Sequence, residues 1–292
     1  MRARRRGSRR CRADLQTRSL TWRRLKAALQ WRMRRISSPR PLSYLIVLIA
    51  LACGGGTASP VAPSAAAAAA RVIVVTHTAG FRHDSIPAAE STIQQLGRDS
   101  GLFDVTLCRT ADDVRRMLMP AALGDTAAVI FANTTGNIGI PDLDAFLAWI
   151  AAGHGFVGIH SASDTYHDGP GYIAMLGGEF EKHGKQAEVD AVVEAPGHPA
   201  VSHLGARYRV FDEIYRFTRN NRQGVTPVLT LDHYPADGLD NSGQPGDLPL
   251  AWAKSHGTGR VFYTALGHRI ELWADARFQQ HVLGGIRSVL NR

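Results

Sequence analysis

The sequence predicts an α/β fold with a doubly wound, mostly parallel sheet and helices on both faces. Three observations predict it. Four short runs rich in apolar and β-branched residues, 71–76, 103–108, 127–132 and 155–160, have the length of strands rather than helices. Helix-start signals and apolar residues at helical spacing lie between them, and that alternation is the pattern of a parallel sheet covered on both sides. Polar loops follow three of the four runs, two of them bearing histidines, as at the carboxyl edge of such a sheet.

In order, Arg71-Val72-Ile73-Val74-Val75-Thr76 reads as a central strand. Pro87 opens a helix over 86–97, with Ile93 and Leu96 facing inward. The second strand spans 103–108, and Thr110 caps a short helix ending at Leu118. After the third strand, Pro141 opens a helix in which Leu143, Phe146, Leu147 and Ile150 share a face. The fourth strand, 155–160, follows at once. The second half is less regular, with a short helix over 170–176, a turn at 177–180 leading into irregular structure, and strands over 187–194, 208–217 and 225–231. A Gly/Asp/Asn/Pro loop covers 237–247, two further strands 248–254 and 260–266, and a closing helix 276–290.

The chain of 292 residues has a formal charge of +9, but the charge is uneven. Residues 1–52 hold fifteen Lys/Arg and one acid, which leaves nineteen basic against twenty-four acidic residues, a net of −5, beyond them. A mildly acidic domain excludes nucleic acid as a partner. Met33 is a better start than Met1, because a charged stretch and then the apolar run 42–52 follow it and end before Cys53. The segment Ala50-Leu51-Ala52-Cys53-Gly54 resembles a bacterial lipoprotein signal, which implies lipidation at Cys53, export, and a membrane contact through that anchor. A plain secretory signal and an uncleaved anchor are the other readings, and each puts the domain outside the cytoplasm. Residues 53–70 form a Gly/Ser/Pro/Ala linker, and 71–292 form the domain. Cys108 stands alone in an apolar run and reads as a small buried hydrophobe.

The strand ends carry the candidate chemistry. Arg82, His83 and Ser85 follow the first strand, Asn133 the third, and His160, Ser161 and Asp164 the fourth. His183, Asp212, Glu213 and His268 join that edge later in the chain. His160 with Asp164 one turn away is the expected proton-transfer pair, since a carboxylate partner fixes the tautomer of a histidine. Strand alternation sends Asp212 and Glu213 to opposite faces, and Glu213 is the favoured catalytic carboxylate. Arg82, His83, Ser85, Asn133, Ser161, His183, Asp212 and His268 are expected to bind substrate. No Gly-x-Ser-x-Gly elbow or cysteine follows the fourth strand, and no dinucleotide fingerprint is present. No cofactor is expected. Twelve histidines leave a metal site open, but none shows a zincin spacing, so no residue is assigned as a ligand.

Four stretches carry a family resemblance. They are Thr78-Ala79-Gly80-Phe81-Arg82-His83-Asp84-Ser85-Ile86-Pro87, Gly155-Phe156-Val157-Gly158-Ile159-His160-Ser161-Ala162-Ser163-Asp164-Thr165, Phe211-Asp212-Glu213-Ile214-Tyr215, and Gly259-Arg260-Val261-Phe262-Tyr263-Thr264-Ala265-Leu266-Gly267-His268. Over residues 72–290 the chain resembles the ThuA-like (trehalose utilisation) family, which has the flavodoxin-like fold of class I glutamine amidotransferases. The family pattern has a proline after the histidine near 183, where this chain has Gly184. The resemblance implies a small-molecule carbohydrate as partner, of the trehalose or oxidised-disaccharide type. Glutamine hydrolysis is not implied, because the nucleophilic cysteine is missing. The expected function is carbohydrate processing by His/Asp proton transfer at the strand-end crevice. A non-catalytic sugar-binding lipoprotein and a metal-dependent hydrolase are the alternatives.

Overall fold

The computed structural model describes residues 68–218 and 222–290. The basic arm, the signal-like run, Cys53 and most of the linker lie outside the described residues. The first strands are β1 (Ala70–Val75), β2 (Phe103–Cys108), β3 (Thr126–Ala132), β4 (Gly155–Ile159), β5 (Phe180–His183) and β6 (Ala187–Val193). Then come β7 (Arg207–Asp212), β8 (Tyr215–Phe217), β9 (Thr226–His233), β10 (Pro245–His256) and β11 (Gly259–Thr264). The helices are α1 (Ile86–Ser100), α2 (Ala111–Met117), α3 (Pro120–Leu123), α4 (Leu143–Ala151), α5 (Pro170–Leu176) and α6 (Ala276–Leu290).

Nine strands form one mixed sheet in the order β2-β1-β3-β4-β11-β10-β9-β6-β7. The pairs from β2 through β11 are parallel, and those from β11 through β7 antiparallel. The change of direction has a local cause. Only Gly257 and Thr258 join β10 to β11, too few residues for a crossover, so the chain must turn back on itself. The parallel half has flavodoxin-like order, in which the chain leaves β1 and β3 in opposite directions and opens a crevice at their carboxyl ends.

Alternating side chains explain the helices on both faces. Phe262 of β11 faces α6, where a Cβ on Gly285 would lie 2.3 Å from its ring. Its neighbour Tyr263 faces the other way, toward Leu176 of α5, and the two pinch the space above Gly158 of β4. Phe156 packs against Phe146 of α4 and Tyr172 of α5. A Cβ on Gly284 would meet the Pro199 carbonyl oxygen at 2.2 Å, so Gly285 lets α6 lie close on the sheet while Gly284 lets the loop after β6 lie close on α6.

Four local expectations change. α4 begins at Leu143 behind the capping side chain of Asp142, not at Pro141. Residues 180–183, read as irregular, form β5, which pairs with β8 in a separate two-stranded ribbon. The run 208–217, read as one strand, breaks at Glu213-Ile214 into β7 and β8. α1 runs one turn past Gly97, to a left-handed Gly101. Cys108 is fully buried, and burial pushes its thiol up to about 12. Among the described residues, no helix is long and apolar enough to cross a membrane.

His281 of α6 is a buried structural histidine. Its Nδ1 lies 2.9 Å from the Ala200 carbonyl and its Nε2 3.1 Å from the Thr264 hydroxyl. Burial, reinforced by the charges of His203 and His198, lowers it to about 4. The unfolded chain binds this proton near the ordinary 6.5, so the contribution to stability is complete above that pH and is lost as pH falls toward 4. Between pH 7 and 5 the loss is about 2 kcal/mol. Urea unfolding of His281→Gln should show a correspondingly shallower fall over that range than the wild type.

Candidate functional site

The carboxyl ends of β1, β4 and β11 meet the end of β7, and each contributes a side chain to one cluster. His160 begins the 3₁₀ turn His160–Asp164 at φ 52°, a left-handed conformation that tips its imidazole over the sheet edge. Its Nδ1 lies 2.8 Å from the Ala265 carbonyl, which only accepts, so Nδ1 carries the hydrogen and Nε2 presents a lone pair. Around that Nε2 stand His83 Nε2 at 3.2 Å, His268 Nδ1 at 3.3 Å and the Tyr215 hydroxyl at 3.0 Å. Glu213 Oε2 lies 3.6 Å from it and 3.2 Å from His268 Nδ1. The other carboxylate oxygen, Oε1, is 3.1 Å from His183 Nδ1.

The frame around the cluster is built from backbone hydrogen bonds. Asp212, fully buried, accepts from the backbone N–H groups of Gly267, His268 and Arg269 at 2.7, 3.4 and 3.1 Å. Burial pushes its carboxyl up to about 6, with those N–H groups pulling the other way. Ser85 Oγ donates to the Gly267 carbonyl at 3.2 Å, and Asn133 Nδ2 donates to Ser85 Oγ and to the same carbonyl at 3.0 and 3.1 Å. The loop that carries His268 is thus held from both sides.

Electrostatics sort the histidines. Burial, and then the charge of His268, lowers His83 to about 4. Burial, and then His83, holds His160 well below the ordinary value. The hydrogen bond to Glu213 raises His268. At neutral pH two neutral imidazoles therefore form the floor of the cluster, while His268 lies against the carboxylate at its mouth.

Several sequence expectations are corrected. Asp164 does not pair with His160, because it accepts from His167 Nε2 at 2.7 Å while Glu179 takes the other ring nitrogen at 2.9 Å. The reason is geometric: a 3₁₀ turn of three residues per turn carries position 164 off the face of position 160. His160 is fully buried, which removes it as the group that first meets a substrate proton. Ser85, Asn133 and Asp212 are also fully buried and brace the loop that carries His268. Ser161, buried too, lies 3.4 Å from His83 Nδ1 and orients that ring. Arg82 is exposed and reaches back to the Thr76 carbonyl at 3.4 Å. His83, Glu213, His183 and His268 do converge with His160.

No residue was assigned as a metal ligand from the sequence, yet His83, His160, Glu213 and His268 offer four donor atoms within 4.8 Å of one another. They come from four separate segments, so no spacing motif marks them. Tyr215 was also missed as a site residue. Its signal is register: β5 and β8 pair His183 with Tyr215, which puts both on the cluster side of the ribbon.

The fold and site together define an α/β protein of the flavodoxin and class I glutamine amidotransferase type, with an imidazole–carboxylate cluster at its strand ends and no cysteine nucleophile. The sequence matches the family model ThuA, trehalose utilisation, over residues 71–288, and the chain belongs to that family. Among solved structures it is similar to a ThuA-like protein from Bacteroides uniformis, with 23% identity and TM-score 0.61, covering 78% of this chain and 95% of that one. A ThuA-like protein from Parabacteroides merdae shows 18% identity and TM-score 0.61 over 76% of this chain and 90% of its own. A protein from Salmonella typhimurium LT2 described as cytoplasmic shares the fold at 11% identity and TM-score 0.53, over 75% and 99% of the two chains. No curated protein matches the chain.

Proposed function

We propose that the protein is an extracytoplasmic enzyme acting on a carbohydrate of the trehalose or oxidised-disaccharide type, with His183 as the proton-transferring base. Membership of the ThuA family supports the carbohydrate role. The observation that carries the chemistry is the state of His183. Its Nδ1 faces two acceptors, Glu213 Oε1 at 3.1 Å and the Gly184 carbonyl at 2.9 Å. Nδ1 therefore holds the hydrogen, and Nε2 is left with a free lone pair on a side chain that is 42% exposed. A carboxylate-oriented imidazole with an open nitrogen suits removal of a proton from a sugar hydroxyl, a water, or a carbon beside a carbonyl. His160 and Asp164 thus give way to His183 and Glu213 in these roles.

A cavity on the neighbouring face fits less well. Of about 290 Å³ and lined by Lys182, Arg216, Tyr234 and Asp240, it adjoins the ribbon residues that pair beside His183 and Tyr215, whose alternation directs them to its other face. Its lining brings no histidines together.

Phe81 is 67% exposed beside the cluster, edge-on to His83 at 4.8 Å. Its carbonyl accepts from the Thr78 and Thr135 hydroxyls at 2.9 and 2.8 Å, so its backbone is held in place, and its ring presents a flat apolar face of the kind a sugar ring covers. Phe81→Ala should raise KM about 3–10-fold with kcat unchanged, the signature of lost uniform binding.

The test is product formation. The protein is incubated with trehalose, related disaccharides and their oxidised derivatives, and products are read by mass spectrometry alongside binding calorimetry. Turnover that disappears in His183→Gln supports the proposal. Tight binding without product over long incubation would favour the sugar-binding lipoprotein. For location, the support is the apolar run 42–52 ahead of Cys53. A mature N-terminus beginning at a lipid-modified Cys53 is the expected mass, and an intact arm would contradict it.

A further inference from the structure

We infer that His83, His160, His268 and Glu213 form one binding site for a divalent transition-metal ion of the zinc type. The first argument is distance. Four ligands around an ion with bonds of about 2.0–2.2 Å define a tetrahedron with edges of about 3.3–3.6 Å. Of the six separations, four are 3.2 Å between His83 Nε2 and His160 Nε2, 3.3 Å between His268 Nδ1 and His160 Nε2, 3.2 Å between His268 Nδ1 and Glu213 Oε2, and 3.6 Å between His160 Nε2 and Glu213 Oε2, and all six lie within 4.8 Å.

The second argument is valence. An imidazole nitrogen has one lone pair in the ring plane and takes one good hydrogen bond. His160 Nε2, whose hydrogen is already on Nδ1, has two ring nitrogens and a hydroxyl within 3.3 Å. One hydrogen bond, from the Tyr215 hydroxyl, satisfies that lone pair, and Glu213 Oε2 pairs with His268 Nδ1, which leaves the inward nitrogen of His83 unexplained. A cation shared by the three imidazoles accounts for it.

Support behind the ligands is the third argument, since metal-binding histidines are held through their other nitrogen. His160 Nδ1 is bonded to the Ala265 carbonyl, His83 Nδ1 approaches Ser161 Oγ, and Glu213 Oε1 faces His183. Donor type selects the ion: three imidazoles and one carboxylate suit zinc and its late first-row neighbours, whereas magnesium and calcium take oxygen. Because His160 is fully buried and the His268 side chain is 22% exposed, the site opens to solvent on the His268 side.

This inference rests on the reading of this crevice as the working site. Its test needs no carbohydrate, so either can fail alone. The full chain is stripped with a chelator and titrated with Zn²⁺ by calorimetry, with bound metal counted by elemental analysis. One ion per chain is expected. His268→Ala and Glu213→Gln should each weaken binding at least tenfold, whereas His233→Ala, a solvent-facing histidine on β9, should leave it unchanged. His268→Ala changes the most exposed ligand, and circular dichroism of each variant separates lost metal from lost fold. Absence of stoichiometric Zn²⁺ in the wild type would overturn the site. So would wild-type affinity in folded His268→Ala and Glu213→Gln, or binding of Mg²⁺ in preference to Zn²⁺.

Discussion

His183→Ala lowers kcat on the carbohydrate substrate by about 10²–10⁴-fold, the range that a positioned general base contributes, with a much smaller change in KM. The side chain stands at the mouth of the site, half in solvent, so its removal leaves no cavity in the core and the variant keeps its melting temperature. That separates it from His160→Ala, which deletes a fully buried ring and frees the Ala265 carbonyl and Tyr215 hydroxyl together. An unchanged kcat in His183→Ala would remove the proposed base from the reaction.

Glu213→Gln is expected to cost at least as much, about 10³-fold or more. Its carboxylate faces His183 with one oxygen and His268 with the other, and it is the one acid in the four-donor cluster. The amide keeps the shape but removes the charge, and it can turn an N–H group toward His183 Nδ1, which then keeps only the Gly184 carbonyl as acceptor. The tautomer with a free Nε2 is less favoured. Because the two residues act as a unit, Glu213→Gln combined with His183→Ala should fall little below Glu213→Gln alone. A double variant whose losses multiply would mean that the two side chains work independently.

The sequence made the parallel half of the sheet readable because buried parallel strands are nearly continuous apolar runs and their helices start on visible caps. Val72 to Val75 and Phe156 to Ile159 are examples, each buried along its length. The antiparallel half was harder. In Asp212-Glu213-Ile214-Tyr215 two polar residues are followed by two apolar ones, so alternation lapses at the break between β7 and β8, but no Gly or Pro marks a turn there. That break matters most, because it turns Glu213 out of the strand and into the cluster.

The site was legible as a set of strand ends but not as a set of partners. His83, His160, Glu213 and His268 follow from counting polar residues after apolar runs. Pairing His160 with Asp164 followed from nearness in sequence, and a 3₁₀ turn with a left-handed first residue overrides that nearness. The true neighbours of His160 lie 77, 108 and 55 positions away in His83, His268 and Tyr215, a distance that only the folded sheet closes.

The most direct measurement is a crystal structure of the protein soaked with a disaccharide that it turns over. The account predicts the sugar in the strand-end crevice, one face on Phe81, with a substrate oxygen or acidic carbon within about 3 Å of His183 Nε2. A sugar bound instead in the cavity between Arg216, Tyr234 and Asp240, with His183 facing bare solvent, would contradict it.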